Sequence, residues 1–413
     1  MPHSTDNSYL TEAVRILTRT PLIDGHNDLP WQFRSRVDNH LEAINIEADT
    51  AVLDPPMHTD INRLRRGRLG GQFWSLYLPA RLEGPGVARV LFEQIDVTLR
   101  LIDRHSEVFE QATSADEVER IFSSGRIASV LAIEGGYAIE NSLAVLRQAY
   151  RCGARYMTLT HNDNTDWADS ATDEPRHDGL TAFGREVVRE MNRLGMIVDL
   201  SHVAPSTMHD ALDTSEAPVL FSHSNARALC NHPRNVPDDV LERVRDVGGV
   251  VMATFVPPYV SAEARDHRIA SEDEQHRLQA AVAAEGLNGA AAAAAVDQRM
   301  NEWLQTTPAP RATLEQVADH IDYLRDTVGI NGVGIGSDFD GITTVPVGLE
   351  DVSTYPALIA ELLRRGYSAG AVAKVAGQNL LRLMREVEGA ATRIASTRTP
   401  SDVLFEELDG ASP

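Results

Sequence analysis

The chain has 413 residues, 43% of them hydrophobic, so it can bury a substantial core as several domains or as one α/β barrel with insertions. Its 38 basic and 60 acidic residues leave a formal net charge of −22, which argues against nucleic acid or anionic membrane as partner and for a soluble protein. Cys152 and Cys230 make no disulfide framework, and no secretory leader, membrane-length apolar run or apolar tail is visible, so the expected location is the cytoplasm.

Leu10, Ala13, Val14 and Leu17 recur at helical spacing and predict a short amphipathic helix over residues 8–19. A strand follows, in which Pro21-Leu-Ile-Asp-Gly runs into His26-Asn27-Asp28. Residues two apart on a strand share a face, so His26 and Asp28 can converge while Asn27 turns away. Residues 34–70 are polar and turn-rich, an excursion placed to cover a site. A second strand spans about 71–78, then helices at about 87–111 and 115–123.

Alternation is regular from there. Strands are expected at 127–133, 154–160, 196–200, 218–221, 249–253 and 332–336, with helices at 142–151, 181–194, 355–366 and 369–386 among the intervening segments. Eight apolar strands alternating with helices predict a (β/α)8 TIM barrel. A doubly wound sheet is the alternative, but no Gly-x-Gly-x-x-Gly turn follows the first strand. Residues 1–390 form one expected domain. A helical insertion at about 256–310, including the run Ala290 to Ala295, separates strands seven and eight. The tail 391–413 is small and polar, and is expected to be poorly ordered.

What stands at the strand ends carries the chemistry. Strand one ends in His26 and Asp28, strand three in Glu134, strand four in His161, strand five in His202, strand six in His223 and strand eight in Asp338. In a (β/α)8 barrel these ends open onto one face. Singly, each has a plainer reading: a strand-end His caps or hydrogen-bonds, Glu134 caps a helix, and Asp338 serves a turn. Together they place four of the chain's 14 histidines and three carboxylates on one rim. With no Cys there, His and carboxylate ligands suit Zn²⁺. Two metals roughly 3.5–4 Å apart can hold a hydroxide and polarise a carbonyl, which is a hydrolase site.

Asp24-Gly-His-Asn-Asp28, Glu134-Gly-Gly136, Thr158-Leu-Thr-His-Asn162, Asp199-Leu-Ser-His202, Ser222-His-Ser-Asn-Ala-Arg227, His232-Pro-Arg-Asn235 and Gly336-Ser-Asp-Phe-Asp-Gly341 resemble the renal (membrane) dipeptidases. These are zinc dipeptidases of the amidohydrolase superfamily, and the likeness runs in order from about residue 20 to 385. The resemblance implies two Zn²⁺ per subunit, with His26 and Asp28 on one, His202 and His223 on the other, and Glu134 bridging. It also implies that a metal-bridging hydroxide attacks an L-Xaa-D-Xaa dipeptide. His161 would hydrogen-bond the carbonyl oxygen, Arg234 would pair with the substrate carboxylate, and Asp338 would act as base and then acid. Arg227 competes with Arg234, and Asp340 with Asp338. His177 and His232 read as loop residues. The resemblance further implies a homodimer. Hydrolysis of N-acyl-D-amino acids or lactams, and a non-catalytic metal scaffold, are the competing readings.

Overall fold

The computed structural model describes residues 7–80 and 86–410. Among these residues nine strands form: β1 (Leu22–Asn27), β2 (Leu69–Tyr77), β3 (Phe109–Gln111), β4 (Ile127–Glu134), β5 (Ala154–Thr158), β6 (Ile197–Asp199), β7 (Leu220–Phe221), β8 (Val250–Ala253) and β9 (Val333–Ile335). All pairings between them are parallel, and eight strands close a ring in the order β1-β2-β4-β5-β6-β7-β8-β9, with β9 back against β1. This is the predicted barrel. Its strands are buried on both faces, so they read as continuous apolar runs. Along β4, Ile127, Leu131 and Ile133 join one apolar cluster and Ala128, Val130 and Ala132 another.

The ninth strand was not legible. The helix expected to reach residue 111 ends at Arg104, and β3 pairs with the start of β4 through Phe109↔Ile127 and Gln111↔Ser129. Buried Phe109 and Val108 extend the helical spacing of the preceding turns, so periodicity alone misreads them; pairing with an exposed strand edge wins. The predicted helix 369–386 is likewise divided into Ala369–Ala373, a π-helical turn at Lys374–Gln378 and Asn379–Ala395. A Cβ on Gly377, in that turn, would lie 2.3 Å from the Pro21 carbonyl, so this position must be glycine for the turn to sit beneath β1.

Between β8 and β9 the insertion folds as Pro257–Val260, Ala262–Ala284 and Gly289–Thr306, the last two meeting at a small cluster of Leu278, Val282 and Val296. Beyond residue 390 the chain stays helical to Ala395. Asp409 then accepts hydrogen bonds from Thr181 Oγ1 at 2.5 Å and the Phe183 amide at 2.8 Å. Among the described residues, no helix is long and apolar enough to cross a membrane.

Candidate metal centre and active site

The barrel brings His26, Asp28, Glu134, His161, His202, His223 and Asp338 to one rim, and Asp28, Glu134, His161, His202 and Asp338 line a cleft of about 1340 Å³ with Arg234 on its wall. His26, Asp28, Glu134, His202 and His223 are each at most 5% exposed. Glu134, the last residue of β4, arranges the others around its two oxygens. Oε2 lies 3.3 Å from His26 Nε2, and Oε1 lies 3.0 Å from His202 Nε2 and 3.5 Å from His223 Nε2. One carboxylate therefore faces His26 with one oxygen and His202 and His223 with the other. His26 Nε2 is also 3.3 Å from Asp28 Oδ2 and 4.0 Å from Asp338 Oδ1. Asn27 turns away as its register requires, accepting from the Leu29 amide and donating to Thr59 Oγ1 at 2.9 Å each.

These groups fit a metal on their own geometry. His26 Nε2 and Asp28 Oδ1 are buried with no hydrogen-bond partner, an arrangement that is costly unless a cation satisfies them. Ligand atoms of His26–Glu134–His223, of Glu134–His161–His202 and of His26–Asp28–Asp338 each lie within 4.8 Å of one another. Gly341 makes room: a Cβ there would sit 2.3 Å from Asp28 Oδ2 and 2.5 Å from Asp338 Oδ1.

Supporting contacts set which nitrogen each imidazole presents. Tyr156 of β5 gives its hydroxyl proton to the Gly25 carbonyl at 3.0 Å, so it accepts from His26 Nδ1 at 2.8 Å and leaves Nε2 facing Glu134. On the other side, Ser222 Oγ donates to Asp199 Oδ2 at 2.6 Å and accepts from His223 Nδ1 at 2.7 Å. Outer partners of this kind hold a histidine in one tautomer, as metal-binding histidines require. Two buried aspartates repeat a single device. Asp199 binds the amide and hydroxyl of Ser222, just before His223, and Asp24 binds the amide and hydroxyl of Ser337, just before Asp338.

The charges follow from this crowding. Burial pushes His202 and His223 well below the usual histidine range, helped by Arg234, which favours the neutral form that can ligate a metal. Burial opposes a charge on His26 too, but Tyr156, Glu134 and Asp28 outweigh it and raise that group well above its ordinary value. Burial would raise Glu134, yet His26, His202 and His161 hold it well below the carboxylate range. Asp338 is raised well above that range by burial, and by Asp28 and Glu134 against the pull of His26. Its backbone is left-handed, at φ 69°, and its amide donates to the His26 carbonyl at 3.1 Å.

His161 packs its ring against His202 and Tyr77, with centroids 4.3 and 5.0 Å away. Arg234 is 1% exposed and lines the same cleft. Its contacts are long ones to Ser224 Oγ at 3.4 Å and the His223 carbonyl at 3.3 Å, and its Nε has no partner. Among the described residues no carboxylate lies within ion-pair distance of it. Arg227, the competing arginine, spends its guanidinium on the Asn235 and Pro233 carbonyls. Asp340 turns from the cluster to the His58 amide at 2.6 Å.

A profile of the membrane dipeptidases, peptidase family M19, matches residues 10–398. The chain belongs to this family. It is a metallopeptidase, a hydrolase of peptide bonds. The dipeptidase is 38% identical over 414 residues to dipeptidase verJ of Clonostachys rogersoniana, covering 97% of this chain and 92% of that one. Among solved structures it is similar to the probable dipeptidase PvdM of Pseudomonas aeruginosa, at 26% identity and a TM-score of 0.74 over 94% of this chain and 100% of that chain. A Rhodobacter sphaeroides metallopeptidase solved with a phosphinate mimic of the dipeptide L-Ala-D-Ala is 25% identical, with a TM-score of 0.68 over 89% of this chain and 99% of that chain.

Tyr156, Asp199, Ser222 and Ser337 escape a reading by ligand type. The serines leave a trace in the sequence, because one precedes His202, His223 and Asp338 alike. Tyr156 leaves none, since nothing in β5 points to β1.

Proposed function

We propose that the dipeptidase hydrolyses L-Xaa-D-Xaa dipeptides with two zinc ions, one held by His26, Asp28 and Glu134 and the other by Glu134, His202 and His223. The observation that carries this reading is the buried Arg234 guanidinium, which shares the cleft with the carboxylate–histidine cluster and, among the described residues, has no acid partner. An unpaired buried charge is costly, and a substrate carboxylate with two oxygens fits a planar two-donor fork. The zinc pair, when bound, supplies an activated water nucleophile and polarises the scissile carbonyl.

The chain's own residues do the rest. Arg234 fixes the substrate's C-terminal end and so sets which bond faces the cluster. His161, neutral because burial lowers it, donates a hydrogen bond to the carbonyl oxygen as negative charge develops there. Asp338 takes a proton from the attacking water and passes it to the leaving amine. Its raised affinity for a proton suits both halves of that transfer. The phosphinate mimic of L-Ala-D-Ala in the Rhodobacter sphaeroides relative supports the L,D preference.

The N-acyl alternative is disfavoured by the loop after β5, whose Asp163, Asp173 and Glu174 also line the cleft. Their charges suit a free ammonium, which an N-acyl amino acid lacks. Turnover of L-Ala-D-Ala, L-Ala-L-Ala and N-acetyl-D-Ala by zinc-loaded protein tests the reading, with metal content measured alongside. Hydrolysis of the N-acetyl compound alone, or one zinc per active chain, would overturn it.

A further inference from the structure

At about 1340 Å³ the cleft exceeds the usual 300–1,000 Å³ of a small-molecule pocket, so a dipeptide clamped between Arg234 and the metal ligands leaves part of the wall free. That wall is the insertion after β8. Arg265, Arg268, Ile269 and Glu272 line the cleft, and their spacing of i, i+3, i+4 and i+7 is one face of the helix Ala262–Ala284.

The start of this insertion is locked to the loop that carries Arg234. Asn235 Nδ2 donates to the Tyr259 and Cys230 carbonyls at 2.8 Å each. The His232 ring lies 4.3 Å from that of Tyr259, and the Arg234 guanidinium sits over the same ring at 5.3 Å. His320 bridges the two segments, accepting from the Ala226 amide at 3.3 Å and donating to the Val260 carbonyl at 3.0 Å. The helix therefore begins beside Arg234 and is held there.

Resting on the dipeptide reading above, the geometry points to a second anion subsite formed by Arg265 and Arg268 next to Arg234, so that the preferred substrate carries an acidic side chain on its C-terminal residue. Arg234 takes the α-carboxylate and the insertion takes the side-chain carboxylate. Both insertion arginines do have partners: Arg265 pairs with Asp266, and Arg268 with Glu272. Those acids are 64% and 53% exposed, however, and such solvent-facing pairs are worth about 0–1 kcal/mol. A substrate carboxylate can replace them at little cost. His232 nearby is pushed down to about 3, first by burial, with Arg234, Arg268, Arg227 and Arg265 adding to it. On a chain of net charge −22, Arg234, Arg265 and Arg268 bring three guanidiniums to the lining of one cleft.

The test is a comparison of kcat/KM for L-Ala-D-Ala, L-Ala-D-Glu, L-Ala-D-Asp and L-Ala-D-Lys, with the L,L compounds in parallel to separate charge from stereochemistry. The acidic compounds should exceed L-Ala-D-Ala by about tenfold, chiefly through KM, and the lysine compound should fall below it. In Arg265→Gln and Arg268→Gln the ratio of acidic to neutral substrate should fall towards one. A ratio near one in the wild type, or a ratio that neither substitution changes, would overturn the subsite while leaving the dipeptidase reading in place. Turnover of no dipeptide at all would remove both.

Discussion

On the two-zinc reading proposed above, removing the Tyr156 hydroxyl should weaken one metal site and spare the other. Tyr156→Phe keeps the ring that stacks on Phe73 at 5.5 Å, so packing is preserved and only one oxygen is lost. That oxygen accepts from His26 Nδ1 at 2.8 Å and donates to the Gly25 carbonyl at 3.0 Å, in a position with no solvent exposure. Without it, His26 can take the other tautomer and its ring is no longer aimed at Glu134. Loss of such an outer partner lowers metal affinity about 10- to 100-fold, or roughly 1.4–2.7 kcal/mol. The stranded Gly25 carbonyl should cost about 1–3 kcal/mol of stability as well. Ser222→Ala is the mirror experiment, because Ser222 holds His223 against Asp199. Competition for zinc with a chromophoric chelator at neutral pH, fitted to two sites, reads both variants. Tyr156→Phe should weaken one site and Ser222→Ala the other. Wild-type affinities in both variants, or an equal loss at both sites in each, would refute the separation into a His26 side and a His202–His223 side.

Three other outcomes follow from the same geometry. Asp338→Asn should retain zinc and lose roughly two to four powers of ten in kcat; steady-state rates with metal analysis check this, and normal turnover would remove its proton-transfer role. Arg234→Met should raise KM for dipeptides by about 10²-fold, the scale of a buried charged hydrogen-bond pair, with metal content unchanged; parallel losses in both would make the arginine structural. His320 is pushed down to about 4, first by burial, whereas an unfolded histidine takes its proton near 6.5. Its share of stability is therefore full above pH 6.5 and falls by about 3 kcal/mol as pH drops to 4. Urea unfolding of wild type and His320→Asn should show a difference that shrinks across that window, and a constant difference would refute it.

The sequence alone carried the eight barrel strands, because parallel strands buried on both faces must be apolar along their length. It also carried the rim residues, because each stands where an apolar run stops. The device behind them was only half visible. Ser201, Ser222 and Ser337 sit in the text beside His202, His223 and Asp338, but the aspartates that bind two of them lie on neighbouring strands. β3 was hidden because its residues continue a helical spacing, and pairing with β4 is a non-local event.

The chemical types of the ligands and their place at strand ends were thus fixed by the chain's own pattern. The shared use of Glu134 was not, since it depends on which oxygen faces which histidine once β1, β4, β6 and β7 are side by side. Nor could the sequence show that Arg234 is buried with no acid beside it among the described residues, that Tyr156 crosses from β5 to hold His26, or that Arg265 and Arg268 reach the cleft. Ligand identity is local, and a sequence records it. Convergence, tautomer and unpaired burial are properties of distances between segments far apart in the chain, and only closure of the barrel sets those.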